Sequence, residues 1–213
     1  MKKNKLTGIY PISPNYIYSD DDYLEKCFVV ISSGINIFQF RTPYISTRKK
    51  RYLLTELYNY CNNSEVQLII NNDYYLLRYY DGAGLHIGRT DLSLTKIKNL
   101  IGDKTIIGFS CGSEIHDTNK LKDYGISYVS LGAAYSSKTK GTADNLETNI
   151  IKYYSDDRVI PFCIIGGIDS RNIESIISYK PDMIAISDGI FREDVDNIKK
   201  TITTYQGYFN AKE

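Results

Sequence analysis

Short, almost unbroken apolar runs recur along the chain at Gly8–Ile12, Asn36–Phe40, Gln67–Asn71, Gly84–Ile87, Thr105–Phe109, Tyr128–Leu131, Pro161–Ile165 and Met183–Ile186. Runs this short and continuous fit strands buried on both faces, as in a parallel sheet covered by helices. Between them come stretches with apolar residues at helical spacing: Leu24, Cys27, Phe28 and Ile31; Leu54, Leu57, Tyr58 and Cys61; Leu94, Ile97, Leu100 and Ile101; Ile173, Ile176 and Ile177; Val195, Ile198 and Ile202. Ser93 and the Asp169-Ser170 pair are placed to start two of these helices. Eight strand signals leave roughly 27 residues per strand-helix unit, about what a compact closed barrel needs, whereas an open doubly wound sheet normally takes five or six strands. The pattern therefore predicts a single parallel (β/α)8 barrel of the TIM type over residues 1–213, without a linker or a second domain.

Composition narrows the class of partner. The chain is 42% hydrophobic and 24% charged, which is globular, and its net charge of +1 gives no general reason to expect a nucleic acid or an anionic membrane. An anion must be held by a local site. The opening Met-Lys-Lys-Asn-Lys looks like the start of a signal peptide, but the apolar run after it breaks at Thr7, Gly8 and Pro11. A cytoplasmic protein without a membrane span is the expectation. Cys27, Cys61, Cys111 and Cys163 lie far apart with no paired spacing, so they read as reduced thiols, three of them at core positions. The 20 Tyr and absent Trp suggest a compositional bias and are given no functional weight.

In such a barrel the chemistry sits at the C-terminal ends of the strands. After the second strand, alternation puts Gln39 and Arg41 on one side, facing the mouth. A guanidinium there needs an anion, and its planar fork suits phosphate oxygens; the competing reading is an Arg paired with a carboxylate on a neighbouring strand. The third strand ends in Asn71-Asn72-Asp73, and the fourth is followed by Asp91. Oxygen donors from adjacent loops could share Mg²⁺, with water and substrate phosphate completing its shell, although Asp91 could equally cap the next helix. His86, inside an apolar strand, reads as a satisfied core histidine. The loop after the sixth strand carries Ser136, Ser137, Lys138, Thr139 and Lys140 between glycines, which is either a phosphate-closing loop or an ordinary solvated one. Gly166-Gly167 after the seventh strand and Ile186-Ser187 after the eighth, each leading into a helix, occupy the usual phosphate-binding loops of this fold.

The ordered set Gly8-Ile9-Tyr10-Pro11-Ile12, Phe38-Gln39-Phe40-Arg41, Ile69-Ile70-Asn71-Asn72-Asp73, Gly84-Leu85-His86-Ile87-Gly88-Arg89-Thr90-Asp91, Ile107-Gly108-Phe109-Ser110, Ser137-Lys138-Thr139-Lys140, Ile164-Ile165-Gly166-Gly167-Ile168 and Ala185-Ile186-Ser187 resembles the thiamine phosphate synthase and thiazole tautomerase superfamily, and the synthase branch more closely. The resemblance spans nearly the whole chain. It implies a transferase that joins a hydroxymethylpyrimidine pyrophosphate to a thiazole phosphate and releases pyrophosphate with the help of Mg²⁺. It implies that Gln39, Arg41, Asn71, Ser110 and Lys140 hold the pyrimidine pyrophosphate, with Arg41, Ser110 and Lys140 the groups assigned to catalysis. Asp91 would ligate Mg²⁺ together with Asn72 or Asp73. Ser137, Thr139, Gly167, Ile186 and Ser187 would hold the thiazole phosphate.

Two positions depart from the family pattern. Pro43 stands where a Lys is usual, and Arg89 or Lys138 could take over its contact. Asn72 stands where the ungapped pattern has the second metal carboxylate, unless Asn72-Asp73 is the matching pair and the next helix is one residue shorter. The tautomerase branch usually has a His shortly after the Ser of the fifth strand, where this chain has Cys111 and Gly112. A tautomerase and a degenerate barrel that binds thiamine precursors without turning them over are the alternatives. The partners expected are the two small phosphorylated substrates, and a homo-oligomer is left open.

Overall fold

The computed structural model describes residues 6–15, 19–88, 96, 104–135 and 146–211. Eight parallel strands form one sheet: β1 (Gly8–Pro11), β2 (Ile37–Phe40), β3 (Gln67–Asn71), β4 (Gly84–Ile87), β5 (Ile107–Gly112), β6 (Tyr128–Leu131), β7 (Phe162–Ile165) and β8 (Met183–Ile186). Their order is β1-β8-β7-β6-β5-β4-β3-β2, with every named pair parallel. The sheet closes where Ile12 bridges Gln39, and the Ser13 N–H donates to the Gln39 carbonyl at 2.8 Å. The (β/α)8 barrel expected from the pattern is therefore the fold.

Alternation along each strand separates two environments. Ile9, Phe38, Phe40, Leu68, Ile70, Leu85, Ile87, Val129, Leu131, Phe162, Ile164, Ile184 and Ile186 join the apolar layer beneath the helices. Tyr10, Ile12, Ile37, Ile69, Tyr128, Cys163, Met183 and Ala185 fill the lumen as a separate cluster. Both faces of every strand are thus buried, which is why the sequence shows continuous apolar runs rather than alternating ones.

The helices among the described residues are α1 (Asp20–Ile31), α2 (Thr47–Asn63), α3 (Thr118–Asp123), α4 (Thr148–Asp157), α5 (Ile173–Ile177), α6 (Asp188–Phe191) and α7 (Val195–Asn210). Ser19 caps α1 by accepting from the Asp22 N–H, and three Asp in the first turn complement the helix dipole. Neither α3 nor α4 is foreseen by the apolar spacing, because α3 buries only Thr118 and Leu121 and α4 only Ile150, Ile151 and Tyr154. The crossover after β3 is a 3₁₀ segment, Tyr74–Tyr79. The expected start at Asp169-Ser170 is also corrected, since α5 begins at Ile173 and the intervening residues form a turn. Ser93 and all but Lys96 of the helix expected around Leu94 to Ile101 lie outside the described residues. All four cysteines are buried, and none of them forms a disulfide. Among the described residues no helix is long and apolar enough to cross a membrane.

Candidate active site

Polar side chains enter the lumen in one connected file. Gln39 on β2 is 2% exposed, and its Nε2 donates to the Tyr10 hydroxyl at 2.7 Å. The Tyr10 and Tyr128 hydroxyls are 2.7 Å apart, and that of Tyr128 lies 3.0 Å from His86 Nδ1. On its other side His86 Nε2 lies 2.9 Å from Ser110 Oγ and 3.5 Å from Ser130 Oγ, and the two serine hydroxyls are 3.3 Å apart. Burial pushes both tyrosine hydroxyls far above their usual pKa, so each keeps its proton. His86 is the satisfied interior histidine that its strand context implies, but its partners are a file of hydroxyls running toward the mouth.

The backbone makes room for this file. A Cβ on Gly108 would stand 2.1 Å from Tyr128 Cζ and 2.5 Å from His86 Nδ1, so only glycine lets the two rings lie against β5. A register shift against β6 between Ser110 and Gly112 leaves Cys111 as the extra residue of a bulge, with Gly112 at φ 63°. Bulges of this kind re-aim neighbouring side chains at barrel rims. Here Ser110 keeps its inward place while Cys111 turns into the outer apolar layer.

Arg41 sits one step beyond Gln39, half-buried at the end of β2. Its backbone N–H donates to Ser13 Oγ at 2.8 Å, the Ser13 hydroxyl donates back to the Arg41 carbonyl at 3.2 Å, and Nη1 donates to Asn15 Oδ1 at 2.5 Å. Desolvation pulls the guanidinium pKa down, partly offset by Tyr44. None of the ion pairs among the described residues includes Arg41. The structural ion pair that competes with an anion site is thus not found among them.

At the end of β3, Asn71 pairs in register with His86 of β4. Asn72 takes the left-handed conformation at φ 61°, with its N–H donating to the His86 carbonyl at 2.9 Å. Asp73 is engaged elsewhere, its Oδ2 lying 2.5 Å from the ammonium of Lys50, a buried residue of α2. Asn72 and Asp73 are hard oxygen donors of the type Mg²⁺ accepts, but no group of three or more metal-binding side chains occurs among the described residues. Asp91, the expected carboxylate, lies outside them, as do Ser137, Lys138, Thr139, Lys140 and Arg89.

On the opposite rim the site is built from backbone. Gly166 and Gly167 follow one another at φ 110° and 64°, conformations that side chains rarely adopt. A Cβ on Gly166 would lie 2.6 Å from Ala133 Cβ, and one on Gly189 would lie 2.6 Å from the Ile168 carbonyl oxygen. The loops after β6, β7 and β8 are therefore packed on one another without room for side chains. Ile186 turns its side chain into the outer layer, so only its main chain can serve a ligand, and Ser187 stands at the junction of β8 and α6. The missed members of the site are Tyr10, Tyr128 and Ser130, and their signal was available: they are polar hydroxyls at the inward positions of strands whose outward positions are aliphatic.

Comparison with known proteins matches residues 9–190 to the family model described as thiamine monophosphate synthase. A thiamine-phosphate synthase of Nitrosomonas eutropha is 30% identical over 90% of this chain and 90% of its own length. One from Wolinella succinogenes is 29% identical over 94% of this chain and 92% of its own. Among solved structures, a thiamine phosphate pyrophosphorylase from Pyrococcus furiosus superposes with a TM-score of 0.83 over 97% of both chains at 16% identity, a likeness of fold.

Proposed function

The chain belongs to the thiamine monophosphate synthase family, and from that premise we propose that it joins a hydroxymethylpyrimidine pyrophosphate to a thiazole phosphate, giving thiamine phosphate and pyrophosphate. The observation that carries this reading is Arg41, a half-buried guanidinium at the barrel mouth with no ion-pair partner among the described residues, directly above the buried amide of Gln39. A charge in that setting is stabilised by an anion, and the bidentate fork suits a pyrophosphate.

Gln39 donates one Nε2 proton to Tyr10, which leaves its second N–H and its amide oxygen for the pyrimidine. Arg41, Asn71, Ser110 and Lys140 hold the pyrophosphate. As it departs, the bond between the pyrimidine methylene carbon and the pyrophosphate oxygen breaks with its electron pair on oxygen, and the thiazole nitrogen lone pair forms the new carbon–nitrogen bond. No protein nucleophile is needed. Donors already in place where negative charge grows lower the barrier without reorganising. Mg²⁺, held by Asp91 and the amide oxygen of Asn72, would neutralise charge on the leaving group. Lys50 already compensates Asp73, which favours Asn72 for that place. The thiazole phosphate is held by Ser137, Thr139, the main chain of Gly167 and Ile186, and Ser187. A cytoplasmic location accords with this chemistry.

The tautomerase alternative is disfavoured by the residues after Ser110, where that branch usually has a histidine and this chain has Cys111 and Gly112. The decisive assay incubates the purified chain with both phosphorylated precursors and Mg²⁺ and measures thiamine phosphate. Product that depends on both precursors and disappears in EDTA is expected. Its absence at any Mg²⁺ concentration would overturn the reading.

A further inference from the structure

We propose that the Gln39–Tyr10–Tyr128–His86 file fixes the proton order at Ser110, so that the Ser110 hydroxyl is held as a hydrogen-bond donor for the pyrophosphate end of the substrate. Tyr10, Tyr128 and His86 are then positioning residues for a hydroxyl they do not share with the ligand. This rests on the assignment of Ser110 to the pyrimidine pyrophosphate.

Counting protons gives the direction. The Gln39 Nε2 group can only donate, so Tyr10 accepts from it at 2.7 Å. Tyr10 owns a single proton and is 1% exposed, and its other hydroxyl partner is Tyr128 at 2.7 Å. A buried hydroxyl left without an acceptor is costly, so Tyr10 donates to Tyr128. Tyr128 in turn has one proton, and the acceptor within reach is His86 Nδ1 at 3.0 Å. With Nδ1 accepting, the ring proton resides on Nε2, which donates to Ser110 Oγ at 2.9 Å. Ser110 has now accepted, and its own proton is directed away from His86. Without ligand, Ser130 can take it at 3.3 Å. With ligand, a phosphate oxygen at the mouth is the stronger acceptor.

The reverse order fails at its far end. If Ser110 donated to His86 Nε2, the imidazole would donate to Tyr128 and Tyr128 to Tyr10, and the Tyr10 proton would meet an amide NH₂ that cannot accept it. The burial that keeps both tyrosines protonated removes a third possibility, a phenolate in the file. Gly108 is the covalent provision for this array, since a methyl group there would occupy the place of the Tyr128 hydroxyl at 2.4 Å.

The test uses the full chain labelled with ¹⁵N-histidine. Its two histidines, His86 and His116, are told apart with a His116→Gln variant. Long-range ¹H–¹⁵N spectra at neutral pH should show His86 with a protonated Nε2 and an unprotonated, hydrogen-bonded Nδ1. Tyr128→Phe should mix the two tautomers and lower kcat roughly 10- to 100-fold, the range for losing a hydrogen bond to a charged group, with a much smaller change in KM. Tyr10→Phe, which leaves the Tyr128 hydroxyl beside His86, should fold if Tyr128→Phe does not, and should shift the tautomer ratio in the same sense with a smaller fall in kcat. A wild-type His86 protonated on Nδ1 or on both nitrogens would overturn the proposal, as would wild-type kcat in a folded Tyr128→Phe. If the wild type makes no thiamine phosphate, the functional reading fails, while the spectrum still decides the proton order.

Discussion

Phe38 and Phe40 on β2 face the helices and are buried in an entirely apolar setting, whereas Gln39 between them is equally buried but faces a tyrosine hydroxyl in the lumen. The same contrast recurs around the barrel: Leu85 and Ile87 against His86, Phe109 against Ser110, Val129 and Leu131 against Tyr128 and Ser130. The outer layer needs only volume and hydrophobicity, and many side chains share its burial. The upper lumen needs named partners at hydrogen-bond distance, and a change to one group propagates to the next. Packing and the proposed chemistry thus fall on opposite faces of the same strands, which alternate with a period of two residues.

The sharpest break of this contrast is a pair of variants. Leu57→Ala in α2 removes a fully buried side chain from the outer layer and should lower stability by about 2–5 kcal/mol, the range for such truncations. Turnover per folded molecule should be unchanged. Gly108→Ala adds one methyl group against Tyr128 and His86 and should cost about 1–3 kcal/mol of stability by overpacking. Its turnover should fall roughly 100-fold, because it displaces groups aligned for chemistry by on the order of 1 Å. Urea titration beside kcat measures both. Lost turnover in folded Leu57→Ala, or full turnover in Gly108→Ala, would erase the division between the faces.

That division also explains what could be seen in the sequence. Continuous apolar runs located every strand, and β3, β4, β6 and β8 have the expected bounds. Placement on the barrel then brought Gln39, Arg41, Asn71 and Ser110 to one end. The end of β5 lies three residues later than its apolar run, because Ser110 and Gly112 continue the pairing around Cys111, a bulge that hydrophobicity does not encode. The short helices α3 and α4 bury too few apolar residues to show a period. Tyr10 and Tyr128 do not stand out in a tyrosine-rich sequence, although period-two counting places both on the same face of their strands as Gln39 and His86. Partnership across strands far apart in the chain, as between Tyr10 and Tyr128, has no local signal.

Arg41 sharpens the comparison from the charged side. Its guanidinium is held at Asn15 and flanked by no described carboxylate, so its charge is available to a ligand. Arg41→Ala should weaken binding of inorganic pyrophosphate by about 1.5–3 kcal/mol, as expected for a lost charge-assisted contact. Calorimetry on the wild type and the variant reads the difference directly, and the melting temperature should scarcely move because Arg41 belongs to neither apolar cluster. Equal affinity in the two proteins would remove Arg41 from the pyrophosphate site.

The smallest expected effect separates Asn72 from Asp73. Asp73 is tied to a buried ammonium, so its carboxylate acts on Lys50 before it can act on a metal. Asp73→Asn should then lower stability by on the order of 1 kcal/mol through the weakened pair and leave the Mg²⁺ dependence of turnover where it was. Among the described residues Asn72 has no such partner, and it is exposed at the turn that follows β3, beside the strand that precedes Asp91 in the chain. Restoring a carboxylate there, in Asn72→Asp, adds a charged hard donor and should move half-maximal activation to lower Mg²⁺ concentration. A Mg²⁺ titration of initial rates on the three proteins decides the matter. If Asp73→Asn instead raises the Mg²⁺ requirement while Asn72→Asp leaves it unchanged, then Lys50 must release Asp73 to the metal, and the ligand pair is Asp73 with Asp91.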